Sequence, residues 1–189
     1  MKPRDFCLLA LALALASPGC ALADACEKTA LAKTYEKMHK DDQALRGRYI
    51  RILEMEHRHQ KVDLKEKERL EISISDTDNR NQTKLDDLIR RCGWPGTLNS
   101  NRASFAAFLT IQHADLDYQL KYLDTVKAAN KRGEIPGMEL AMLIDRILVK
   151  QGKPQLYGTE FEYGSNKVAP IADPINLNQR RKELGLPAI

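Results

Sequence analysis

The chain has 189 residues, 43% of them hydrophobic, enough to bury one ordinary core, so one domain is expected and two would be cramped. Thirty Lys and Arg against 26 Asp and Glu leave a formal charge of only +4, with both signs interspersed; that excludes a basic stripe for nucleic acid and an acidic tail. Aromatic residues are only 6% of the chain, too few for base-stacking platforms.

Residues 1–23 differ in kind from the rest. Lys2 and Arg4 form a short positive start, Leu8 to Ala16 is an apolar run of Leu and Ala, and Ser17-Pro18-Gly19 breaks it. That pattern is a bacterial secretory signal, too short to span a bilayer as a stable helix. Ala21-Leu22-Ala23 fits cleavage before Asp24, leaving a single helical domain over 24–189 in the periplasm or secreted. The alternative cut makes Cys20 the lipidated residue of a membrane-anchored lipoprotein. Gly19 suits that reading, whereas Ser17 and Pro18 depart from it. Either cut puts the domain outside the cytoplasm. Cys26 and Cys92 then remain as a pair in an oxidising compartment, where a disulfide is the expected state.

From Cys26 to about Glu56 the pattern is one long helix. Leu31, Met38, Leu45 and Ile52 recur every seven residues, with Tyr35 and Tyr49 completing a narrow seam in which Asp42 and Glu56 are acidic exceptions. The register breaks near His57 to Val62, and Asp63 with Glu66 has the spacing of a capping box opening a second helix, which ends at Gly93 and Pro95. If the two helices fold back on each other, Cys26 and Cys92 stand equidistant from residue 59, where the pattern independently breaks. The hairpin and the bridge therefore support each other, and closing so long a loop stabilises a fold by roughly 2–4 kcal/mol. The same register sets Asp42, Gln43 and Arg46 opposite the polar patch Asp76 to Gln82. That is either a solvated middle of the hairpin or a wall of a site built from Asp42, Arg46, Asp78 and Asn81, because unpaired acids on a buried seam are costly.

A third helix is expected from near Ala103 to Lys131, its apolar face interrupted at mid-length by Gln112, His113 and Asp115. A fourth, with Pro136 in its first turn, carries Asp145 and Arg146 inside the apolar run Met138 to Val149. Gly152 and Pro154 break it, and Gln155, Tyr157 and Thr159 follow on alternate residues, so an extended segment would present all three on one side. Phe161 to Ile171 reads as a small β-hairpin around Gly164-Ser165-Asn166. A last short helix spans about Leu177 to Leu184, contains Arg180 and Arg181, and stops at Gly185. The fold class is all-α: a long N-terminal antiparallel helical hairpin packed on two further helices, then an extended or hairpin segment and a short helix.

Several of these pieces recur as an ordered set. Asp42-Gln43 with Arg46, Gly93-Trp94-Pro95, Gln112-His113-Ala114-Asp115, Asp145-Arg146, Gln155 to Thr159, and Arg180-Arg181 before Gly185-Leu186 together resemble a bacterial domain-of-unknown-function family. Its pattern reads D-Q-x-x-R, G-W-P, Q-H-A-D, D-R, Q-x-Y-G-T-Q and R-R-x-x-G-L, and the match covers roughly residues 36–187. Glu160 departs from it, standing where the pattern has Gln. The resemblance implies a residue list and no activity.

His113 cannot face Asp115 on one helix, but it can meet Asp117 one turn on or Asp145 from another helix. A carboxylate-oriented His is the general-base arrangement of a hydrolase, which makes His113 and Asp145 the candidate catalytic pair. No G-x-S-x-G elbow or free thiol supports a covalent nucleophile. With four His, no H-E-x-x-H and no C-x-x-C, no metal or other cofactor is expected. Arg146, Arg180 and Arg181 can hold a carboxylate or phosphate, with Gln155, Tyr157 and Thr159 adding neutral hydrogen bonds, or they can pair internally with Asp145, Asp42 and Asp78.

Three functions stay open. The first is a periplasmic domain whose polar cleft binds a small or peptidic ligand through Asp42, Gln43, Arg46, Asp78, Asn81, Gln112, Asp115, Arg146, Gln155, Tyr157, Thr159, Arg180 and Arg181. The second is the His113 hydrolase. The third is an inhibitor or immunity-type factor whose surface meets an envelope protein.

Overall fold

The structure, a computed structural model, describes residues 26–98, 101–162 and 165–189. The expected signal, with Cys20, lies outside them. The fold is all-α: α1 Lys28–His57, α2 Leu64–Cys92, α3 Arg102–Gln112, α4 Leu116–Lys131, α5 Gly137–Lys150, a 3-10 turn Pro174–Asn176 and α6 Leu177–Glu183. No helix among the described residues is long and apolar enough to cross a membrane.

α1 and α2 form the antiparallel hairpin. Asp63 caps α2 by accepting from the backbone N–H groups of Lys65 and Glu66, while the Glu66 carboxylate turns away to Arg48 and Arg69 instead of closing a capping box. Cys26 and Cys92 are bridged with their Cα atoms 5.5 Å apart, tying the base of α1 to the end of α2. A disulfide of this kind fits an extracellular or periplasmic location. The seam of α1 is buried at the disulfide end, through Leu31, Tyr35 and Met38. Beyond Asp42 it loosens, Leu45 and Ile52 being half-buried and Ile50, Leu53 and the α2 residue Ile72 exposed, although Leu70 of α2 stays buried there.

α3 packs across both arms of the hairpin at that end and also touches α4 and α5, which pack on each other. Its buried face is made of Ala103, Ala106, Ala107, Phe108 and Ile111, and three alanines let it lie close to its neighbours. Val126 and Ala129 of α4 and Leu140, Leu143 and Ile147 of α5 complete the same core. α5 begins at Gly137 because nothing larger fits: a Cβ there would overlap the Leu184 carbonyl.

Two expectations are corrected. The third helix is not continuous. His113 closes α3, its N–H bonding Leu109 O, and Asp115 opens α4 as an N-cap that accepts from Tyr118 N–H at 2.9 Å. Gln155, Tyr157 and Thr159 do not share one side of an extended strand either. The chain bends over 156–158, with Gly158 at φ 73°, and curls around the end of α5. Of the hairpin expected around Gly164-Ser165-Asn166, Gly164 lies outside the described residues, and what is described is an isolated antiparallel bridge between Phe161 and Val168; a parallel bridge joins Gln155 to Ile171.

Candidate functional site

The break at 112–115 is what builds the site. Ending α3 at Gln112 carries His113 out of the helical face and against the middle of the hairpin, where its Nδ1 lies 3.0 Å from Asp42 Oδ1. Asp42 is only 6% exposed, yet each oxygen is used: Oδ1 also accepts from Arg46 Nε at 2.7 Å, and Oδ2 accepts from the Gln43 amide at 2.6 Å. Arg46 then reaches across to α2, its Nη2 lying 2.7 Å from both oxygens of Asp78. The buried Asn81 amide donates to Met38 O at 3.3 Å, fixing the hairpin register one turn away.

The electrostatics separate the two carboxylates. Burial pushes Asp42 up, but the hydrogen bonds and charges of His113 and Arg46 outweigh it and hold its pKa at about 2. Asp78 is shifted the other way. Its own burial dominates, the charge of Asp42 adds to it, and Arg46 does not fully compensate. Asp42 is therefore an acceptor only, so a neutral His113 carries its proton on Nδ1 and its lone pair on Nε2. No described protein group hydrogen-bonds Nε2.

His113 and Arg46 line an open cleft of about 360 Å³ between α1, α2 and the α3–α4 junction. Its other walls are Tyr49, Glu71, Ile74, Ser75, Asp78, Asn79, Gln82, Ala114 and Asp115. Asp42 stands behind this lining. Asp42, Asp78 and His113 also offer ligand atoms within 4.8 Å of one another, but Arg46 already bonds both carboxylates, so a cation there would have to displace the guanidinium.

The remaining sequence candidates gather elsewhere. Asp145 is fully buried, and its oxygens accept from the N–H groups of Leu156 (2.8 Å), Tyr157 (3.0 Å) and Thr159 (3.0 Å) and from the Thr159 hydroxyl (2.9 Å). It is thus the peg around which residues 155–160 fold, and His113 meets Asp42 rather than Asp145 or Asp117. Gln155 is fully buried and clips the same loop, donating to the Glu160 and Ala169 carbonyls and accepting from Glu160 N–H. Tyr157 contributes its backbone. Arg146 pairs with Glu160 at 2.9 Å and donates to Gln112 O at 3.2 Å. The departure at Glu160 therefore supplies the counter-charge of Arg146. Arg180 donates to the Leu156, Ala172 and Asp173 carbonyls, and Arg181 to Tyr157 and Pro187. Both arginines staple α6 to the loop instead of facing a cleft. Gln112 is buried, its amide 3.5 Å from Met142 O.

Of the sequence candidates, Arg46, Asp78, His113 and Asp115 line the cleft, Asp42 with Gln43 stands behind it and Asn81 fixes the hairpin register one turn away, while Gln112, Arg146, Gln155, Tyr157, Thr159, Arg180 and Arg181 belong with Asp145 and its loop. Sequence reasoning missed Glu71 and Ser75 and named Gln82 only as the end of the polar patch. Their spacing with Asp78 repeats four, three, four along α2, a polar helical stripe that could have flagged them.

A family model described as "Family of unknown function (DUF6624)" matches residues 31–189. The chain belongs to this family. No curated protein matches the chain, and no solved structure does. The DUF6624 match spans the hairpin, the cleft and the Asp145 loop alike, so the description carries no activity to any of them.

Proposed function

We propose that this DUF6624 chain is an extracytoplasmic ligand-binding domain, exported by its first 23 residues, that takes a small or peptidic ligand in the cleft beside His113. One observation carries the reading: His113 lines the cleft with its Nδ1 held by the buried Asp42 at 3.0 Å, while no described group uses Nε2. A buried acid that orients an imidazole and leaves its second nitrogen free is a pre-organised hydrogen-bonding centre. The disulfide supports the location.

The same pair also favours a second reading, a hydrolase in which Nε2 takes a proton from water and Asp42, rather than Asp145, steadies the imidazolium. One experiment separates them. The mature protein is titrated with a fragment and short-peptide library while the His113 imidazole signals are followed by NMR, and the ligands are recovered afterwards. Binding predicts saturable shifts of the His113 imidazole and of the Ala114 and Asp115 backbone amides, the amide shifts lost in His113→Ala, with ligand returned intact. Cleavage of a recovered peptide, abolished by Asp42→Asn, selects the hydrolase. Fragments that bind without moving His113 refute both.

A further inference from the structure

The chemistry of the cleft walls specifies what can enter. Three carboxylates line it, Glu71, Asp78 and Asp115, against one guanidinium, Arg46. That guanidinium is already spent on Asp78 and, behind the lining, on Asp42. Two cations outside the lining are near enough to feel these acids: Lys150, whose ammonium bonds the Ala114 carbonyl at 2.8 Å, interacts with Asp115, and Lys67, paired with Glu56, interacts with Glu71, but neither hydrogen-bonds a lining carboxylate. Two of the acids keep an oxygen that no described protein group uses. Glu71 Oε1 accepts from the Tyr49 hydroxyl and Asp115 Oδ1 from Tyr118 N–H, leaving Glu71 Oε2 and Asp115 Oδ2 with no hydrogen bond from a described group. On α2 the side chains of Ser75 and Gln82 line the same cleft, have no described hydrogen-bond partner and continue the stripe of Glu71 and Asp78.

Resting on the reading of this cleft as a binding site, we infer that its ligand presents a protonated amine or guanidinium to the acidic lining, against the free oxygen of Glu71 or of Asp115, while its neutral part bonds His113 Nε2 and the α2 stripe. The walls are acidic, and an anionic ligand would meet those free oxygens with no unspent cation in the lining to answer it. A cation gains from either free carboxylate oxygen, and the polar stripe suits an amide or hydroxyl body. The cationic group can belong to a basic side chain of a peptide or to a free small amine.

The test uses the mature protein and four probes: end-blocked Ala-Lys-Ala, its norleucine and glutamate counterparts, and cadaverine. The lysine peptide or cadaverine should move the His113 signals saturably, and whichever binds tighter identifies the source of the amine. The norleucine peptide should bind at least about fivefold more weakly, and raised salt should weaken the lysine peptide further. Glu71→Gln and Asp115→Asn keep the Tyr49 bond and the α4 cap, so both should fold. Each should lose roughly two- to fivefold in affinity for the cation, the scale of an exposed ion pair. Equal binding of the norleucine or glutamate peptide overturns the inference and leaves the cleft reading standing. So does silence of His113 towards both cations while neutral or anionic fragments shift it. Silence towards all three classes overturns both.

Discussion

Asp145 and Asp42 are both buried carboxylates on the inner faces of helices, yet they are satisfied by different kinds of donor. Asp145 is filled by the backbone of a single loop, Leu156, Tyr157 and Thr159, with the Thr159 hydroxyl as its one side-chain partner. Asp42 is held by three side chains, Gln43, Arg46 and His113, and two of these continue to a cleft. A carboxylate closed by backbone has no capacity left for a ligand and serves the fold. One closed by side chains transmits its charge and orientation to whatever those side chains meet. Burial alone does not distinguish the two; the identity of the donors does.

The largest effect that would sharpen this contrast is Asp145→Asn. It removes a charged acceptor from several backbone N–H groups that have no other partner, and should cost about 3–5 kcal/mol in a denaturant titration. Protease cleavage over 155–162 should rise with it. A loss smaller than that of Asp42→Asn would collapse the distinction.

Next comes the disulfide. Cys26→Ser with Cys92→Ser should lower stability by roughly 2–4 kcal/mol. Because the bridge lies at the core end of the hairpin, far from its tip, the His113–Asp42 contact should persist, read as an unchanged imidazole signal.

Asp42→Asn should cost about 2 kcal/mol near neutral pH, and the sign of its pH dependence follows from linkage. The folded value of about 2 lies below the unfolded value of about 3.9, so the stabilisation is fully present above pH 4 and lost as pH falls towards 2. Asp78, shifted upward, contributes with opposite sign, its stabilisation present at low pH and lost as pH rises, which softens the slope. Thermal melts from pH 5 to pH 2 should therefore fall more steeply for the wild type than for Asp42→Asn. Parallel curves would mean that Asp42 is not held by its charged partners.

The smallest stability effect is expected for His113→Ala. Its side chain is 17% exposed and Asp42 keeps Arg46, so the loss should stay near or below about 1 kcal/mol while ligand-induced shifts of the Ala114 and Asp115 backbone amides vanish. A loss as large as that of Asp145→Asn would make His113 a structural residue and move the search for function to the surface.

Much of the fold was legible because it is written in local patterns. The seven-residue seam marked α1, Asp63 marked the start of α2, and the symmetry of Cys26 and Cys92 about the break near residue 59 located the hairpin. The polar middle of that hairpin was visible for the same reason, since an acid at a seam position is an exception to a strong rule. The break between α3 and α4 was missed because the apolar face continues through it. Asp115 followed by Asp117, a cap with an acid in the first turn, was the available signal.

What periodicity cannot carry is the choice among donors. Along the chain Asp145, Asp42 and Asp117 are equivalent acids, each able to meet His113 in some packing. Pairing depends on distances of about 3 Å between elements far apart in sequence, set by how α3 crosses the hairpin and where residues 155–160 curl. Local chemistry was sufficient for the helices, their caps and the bridge, because each is decided within a few residues or by a matched pair. The partner of His113, the closure around Asp145 and the cleft itself were decided by packing, because a carboxylate accepts whichever donors the surrounding helices bring within reach.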